Sequence, residues 1–170
     1  MALQMFMKLE GIPGDTSNYE HKGWCDVLSW NWGMTSNRKS VQGNAGDRTA
    51  LNEISVVKPL GIDSPVTRLL FAQGKRIPSV EFSVTPIMGK REIQAKYMHF
   101  RLEDVAIKSI VCSGCNEDKF FREQLTLYFD RIRFEFSEAP TVSGGGSGLS
   151  TPGKDYNFHW NVPSNAEITQ

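Results

Sequence analysis

No charge of either sign dominates the sequence: 19 basic side chains face 19 acidic ones, and no run of five like charges occurs along it. Nucleic acid and anionic membrane surfaces are met by concentrated basic patches, so this balance argues against both as the main partner. It also leaves like copies with little mutual repulsion, which permits self-association. Long apolar runs are missing as well. No stretch approaches the roughly 18 consecutive apolar residues of a membrane-spanning helix, so no membrane insertion is expected. The first ten residues are interrupted by Gln4, Lys8 and Glu10, so they do not read as a signal peptide. Synthesis in the cytoplasm, without an N-terminal export signal, is the expectation. Cysteine is scarce, and its odd number, three, suits a reducing compartment better than a disulfide framework.

Catalytic constellations are lacking too. There is no Gly-x-Ser-x-Gly elbow, and no pattern proposes a nucleophile with its base. His21, His99 and His159 stand in unrelated contexts, with no second histidine at metal-ligand spacing. Cys112-Ser-Gly-Cys115 has the spacing of redox and zinc sites but neither a βαβ context nor a second ligand pair. Gly148 to Lys154 matches the start of a phosphate-binding loop. Asp155, however, replaces the magnesium-binding hydroxyl, Pro152 removes an amide, and the segment leads into a strand. Glu103 and Asp104 are strand neighbours and would point to opposite faces, so they mark a turn rather than an acid pair. No cofactor, no metal and no enzymatic activity are expected.

What the chain does have is period-two alternation. In residues 26–34, Leu28, Trp30, Trp32 and Met34 fall on one face of an extended strand, and Val27, Ser29 and Asn31 on the other. Burying each large side chain is worth roughly 1.5–3 kcal/mol, so the two tryptophans fix the register of a core. Residues 36–52 hold Arg38, Lys39, Gln42, Asn44, Asp47 and Arg48 with scarcely a hydrophobe, far beyond the usual loop of about 4–6 residues. Ser64-Pro65 opens a helix with Val66, Leu69 and Leu70 on one face, and Gly74 sits at its C-terminal cap. The apolar phase runs on odd positions at Leu125, Leu127 and Phe129 but on even ones at Ile132, Phe134 and Phe136. A bulge or sharp bend near Asp130-Arg131 would allow this switch.

About eight or nine strands with turn signals every 8–12 residues indicate a mainly β fold. The expected form is a small antiparallel β-barrel or two packed sheets, with one short helix at 64–74 and an extended loop at 36–52. A single domain is expected over residues 1–163, followed by a flexible tail at 164–170.

Met5-Phe6-Met7-Lys8, then Gly11-Ile-Pro-Gly-Asp15, then His21-Lys-Gly-Trp24 running into residues 26–34, resembles the haemolysin-coregulated (Hcp) tube protein family of bacterial type VI secretion. Ser64-Pro65, Gly74-Lys75, Ile77-Pro78 and the strand from Leu125 extend the likeness over nearly the whole chain. The resemblance implies a homo-hexameric ring, rings stacked into a secreted tube, and a lumen that can carry small effectors. Sheath and spike components of the machine are implied as further partners. It places Ser29 and Asn31 as candidates for the lumen wall, and Arg38, Lys39, Gln42, Asn44, Asp47 and Arg48 as candidates for contact with a neighbouring subunit. The competing expectation is a soluble barrel that holds a small apolar ligand, which would need spare interior volume.

Overall fold

The computed structural model describes residues 3–36, 49–86, 97–138, 141–142, 150–151 and 154–168. In chain order the elements are β1 (Leu3–Leu9), β2 (Cys25–Asp26), β3 (Ser29–Asn31), β4 (Met34–Ser36), β5 (Thr49–Leu51) and β6 (Ile54–Pro59). Helix α1 (Ser64–Ala72) follows, then β7 (Ile77–Pro86), β8 (Met98–Ser113), β9 (Arg122–Tyr128) and β10 (Arg131–Ser137). The chain closes with β11 (Thr141–Val142), β12 (Ser150–Thr151), β13 (Asp155–Asn161) and β14 (Ala166–Glu167).

Strand β8, sixteen residues long, organises the fold. Its first part pairs with β7 and β10, its second part with β9. One sheet therefore runs β14-β13-β10-β8-β7-β1-β2 and the other β3-β6-β9-β8, with β8 common to both. These are two packed sheets sharing a strand, not a closed barrel. Two further hairpins, β4–β5 and β11–β12, stand apart. The segment expected as a loose tail includes β14, which pairs with Trp160 and Asn161.

The long strand can serve both sheets because it bends. Asp104 sits at φ 55°, a left-handed conformation that Asp tolerates better than most residues. The bend expected near Asp130 lies opposite it, where the Asp130 amide donates to the Glu103 carbonyl at 3.1 Å. The turn expected at Glu103-Asp104 is thus a corner inside a continuous strand. Arg76 ties the two corners, donating from Nη1 to the Asp104 carbonyl and to Asp130 Oδ2, both at 2.9 Å. Arg131 Nη2 adds a bond of 2.9 Å to Asp104 Oδ2.

Between the sheets runs an aromatic ladder. Pairing puts Met7, Phe82, Phe100, Phe134 and Phe158 in one row across five strands. Phe82 and Phe100 stack at 4.4 Å, and Phe100 and Phe134 at 6.3 Å. Ile54, Val56, Leu125 and Leu127 face the core from the second sheet, each fully buried.

Helix α1 ends as expected. Gly74 has φ 62°, its amide donates to Phe71 O and the Lys75 amide to Leu70 O, the paired bonds of a Schellman cap. Its start differs by one residue. Asp63 is the N-cap and makes no side-chain capping bond, because its carboxylate is held by Lys58.

Candidate functional site

Residues 26–34 do not form one strand. Cys25–Asp26 pairs with β1, the Val27 amide donates to Met5 O, the Leu28 amide donates to Val57 O, and Ser29–Asn31 pairs with β6. The stretch therefore crosses from one sheet to the other at Val27–Leu28, and the corner resets the alternation. Val27 is buried, whereas Leu28 is 38 % exposed. Beyond Gly33 the chain enters the β4–β5 hairpin, where Met34 is 44 % exposed. Leu28 and Met34 are thus not core residues, contrary to the strand reading. Trp30 and Trp32 keep their expected role, half-buried on the ladder at 5.1 Å from Phe100 and 6.5 Å from Phe134.

Ser29 and Asn31 are exposed on the outer face of the second sheet. Pairing continues their rows as Ser29, Val57, Gln124, Val111 and as Asn31, Ser55, Thr126, Ser109. Both rows are uncharged, and Gln124 Nε2 donates to Ser55 Oγ at 2.9 Å. Charge returns at the end of this face in the Glu53–Lys108 pair, beside the Tyr128 ring. The hydrogen bond in that pair lowers the Glu53 pKa and raises that of Lys108. The outer face of the first sheet is different in kind. Lys8, Glu81, Arg101 and Arg133 form one row across it. Glu81 meets Arg101 at 3.1 Å, and Arg131 meets Glu103 at 3.2 Å. Arg38, Lys39, Gln42, Asn44, Asp47 and Arg48 lie outside the described residues.

A buried ionic cluster joins α1 to the second sheet. Lys58, Asp63, Ser64 and Glu123 are all within 1 % of complete burial. Lys58 Nζ lies 2.9 Å from Asp63 Oδ2 and 3.4 Å from Glu123 Oε2, and Ser64 Oγ donates to Glu123 Oε2 at 2.8 Å. Arg68, partly exposed, closes the cluster at 2.7 Å from Glu123 Oε1. With two cations against two anions, each carboxylate keeps a partner away from water, the condition under which buried charges persist. Cys25 lies in the same region, its thiol pushed up to about 12 by burial and then by Asp63, so it behaves as a small apolar residue. Strand parity held the signal for this cluster: Ile54, Val56 and Lys58 share a face, as do Glu123, Leu125 and Leu127.

With its inner side engaged this way, α1 and the turn before it leave apolar groups exposed. Ile62 is 58 %, Leu69 56 % and Phe71 44 % exposed. The paired cysteines of the sequence do not form a centre: Cys112 lies within β8 opposite Glu123, Cys115 lies past the strand end, and both are free and exposed. Among the described residues no group of three or more histidine, cysteine or carboxylate side chains is placed to hold a metal, and no helix is long and apolar enough to cross a membrane.

A family model described as "Type VI secretion system effector, Hcp" matches residues 6–136. The chain is 23 % identical over 169 residues to Protein hcp1 of Pseudomonas aeruginosa, covering 98 % of this chain and 99 % of that protein. Among solved structures, one described as a type six secretion system protein superposes with a TM-score of 0.80 at 20 % identity, covering 98 % of this chain and 100 % of that one. Hcp1 from Salmonella typhimurium gives 0.75 at 22 % identity, with 99 % and 100 % covered. These structural likenesses concern the fold.

Proposed function

The chain belongs to the Hcp family of type VI secretion proteins, and on that premise we propose that it is a non-enzymatic structural subunit of the secretion tube. In this reading six copies close into a ring and rings stack into a tube that is itself secreted and carries small effectors in its lumen. Sheath and spike components contact the assembled tube. Residues 1–163 act as one ring-forming unit. The face bearing Ser29 and Asn31 lines the lumen, and the segment containing Arg38, Lys39, Gln42, Asn44, Asp47 and Arg48 reaches a neighbouring subunit.

The observation that carries the proposal is the uncovered apolar surface around α1, where Ile62, Leu69 and Phe71 remain accessible although the helix is packed and capped. Apolar patches of this kind mark association surfaces, and copies that associate head to tail close into rings when the rotation permits. Negative-stain microscopy of the purified protein tests the reading. Annular particles with an open centre are the expected image, and a field of compact single-copy particles would contradict it.

A further inference from the structure

His21 sits where a charge would be poorly tolerated. Residues 13–24 form a strap across the outer face of the first sheet, tied to itself by Gly14 N to Gly23 O, Thr16 N to Trp24 O and Trp24 N to His21 O, each at 2.9 Å. The His21 ring is one of its ties, beside Thr16 Oγ1, which donates to Asp26 Oδ1 at 2.6 Å, and Asp15 Oδ2, which accepts from the Ile62 amide at 3.4 Å. The ring stacks on Phe6 with centroids 4.1 Å apart and 16° between planes, and meets the Trp24 ring edge-on at 5.1 Å. Its Nε2 is 3.2 Å from Ser83 Oγ, while Nδ1 is buried without a partner. The residue as a whole is 8 % exposed. This arrangement suits the neutral ring with its proton on Nε2, donating to the serine and leaving a bare lone pair on Nδ1. A second proton would put an N–H donor at Nδ1 with no acceptor, on a ring cut off from water.

From this geometry we propose that the strap is an acid-sensitive latch: protonation of His21 withdraws its ring from Phe6 and Ser83 and lets residues 13–24 lift from the sheet. The surrounding charges do not cancel the effect. From the strap itself, Glu20 favours the charged ring, and on β8 the residue opposite Ser83 is His99, which lies between Glu81 and Glu135. On β1, Lys8 lies 5.9 Å over the Trp24 ring, and Glu81 of β7 stands beside it in the next row of the sheet, paired to Arg101. Asp26, opposite Phe6, accepts a hydrogen bond from Thr16 at 2.6 Å. The net result is a lowered pKa for His21, with burial the leading cause and the Glu20 carboxylate a smaller opposing one. The sign follows: the lifted strap binds the proton more readily, so closure is complete above the ordinary histidine range and is lost as pH falls from there towards the folded value. Within that window the opening constant rises about tenfold per pH unit.

The test is amide exchange of the intact protein between pH 8 and pH 4.5, corrected for intrinsic rates, with the His21 ring titrated by NMR in the same samples. His21 should titrate below the ordinary value of about 6.5, and strap amides should lose protection in step while β7 and β8 amides do not. His21→Phe, which keeps the stack and cannot titrate, should hold the strap closed throughout. An ordinary or raised His21 pKa would overturn the proposal, as would unchanged protection across its titration or equal acid loss in His21→Phe. The wild-type titration decides even where the variant folds poorly.

Discussion

Replacing Lys58 by Met keeps the side chain to within one atom of its length and removes its charge from the buried cluster. The wild-type ammonium lies 2.9 Å from Asp63 and 3.4 Å from Glu123, and also donates to Pro59 O at 2.9 Å. After the change Glu123 still has Arg68 and Ser64, but Asp63, fully buried, loses the cation paired with it. Removing one partner of a buried pair costs about 3–5 kcal/mol, because the remaining charge keeps its desolvation penalty. Against a typical total of about 5–15 kcal/mol, that is a large share, and it corresponds to a fall in Tm of about 6–20 °C for a domain of this size. Urea unfolding followed by tryptophan fluorescence reads it directly, provided the slope m is unchanged. Adding Asp63→Asn should recover part of the loss, since the orphaned charge is then removed. A loss below about 1 kcal/mol for Lys58→Met would refute the reasoning, because a surface-like ion pair is worth no more than that.

Asp104→Val should cost about 1–2 kcal/mol, the price of a left-handed conformation for a β-branched side chain, whereas Asp104→Gly should cost less; thermal unfolding of the two variants ranks them. Deleting residues 41–47 should leave the circular dichroism of the fold intact and weaken ring formation by sedimentation. The double variant Cys112→Ser, Cys115→Ser should assemble as the parent does, since neither thiol has a bonded partner; failure to assemble would reveal a role for the pair. Leu69→Glu, on the accessible side of α1, should change stability by no more than about 0.5 kcal/mol yet reduce assembly, measured by size exclusion across a dilution series.

Much of the fold was legible because alternation and turn chemistry are local. The helix body, the Gly74 cap and the phase switch at Asp130 all follow from residues close together in the chain. Trp30 and Trp32 pack against the core because large aromatic side chains gain most by leaving water, whether or not they lie in a strand. Leu28 and Met34 were misplaced because a corner at Val27–Leu28 is imposed by two distant strands, β1 and β6, competing for adjacent amides. No pattern within nine residues encodes that competition. The buried cluster illustrates the opposite failure: parity already set Lys58 and Glu123 on the core face, but a charge inside becomes credible only when its partners, here Asp63 and Arg68, are brought to it by the fold. Asn31 and Ser29 were readable as exposed. What they face depends on other copies of the chain.

Native mass spectrometry over a wide protein concentration range tests the central claim most directly. A dominant species of six times the 19.1 kDa chain mass, persisting on dilution and weakened by Leu69→Glu, is the expected result. A chain that stays monomeric at every concentration would contradict it.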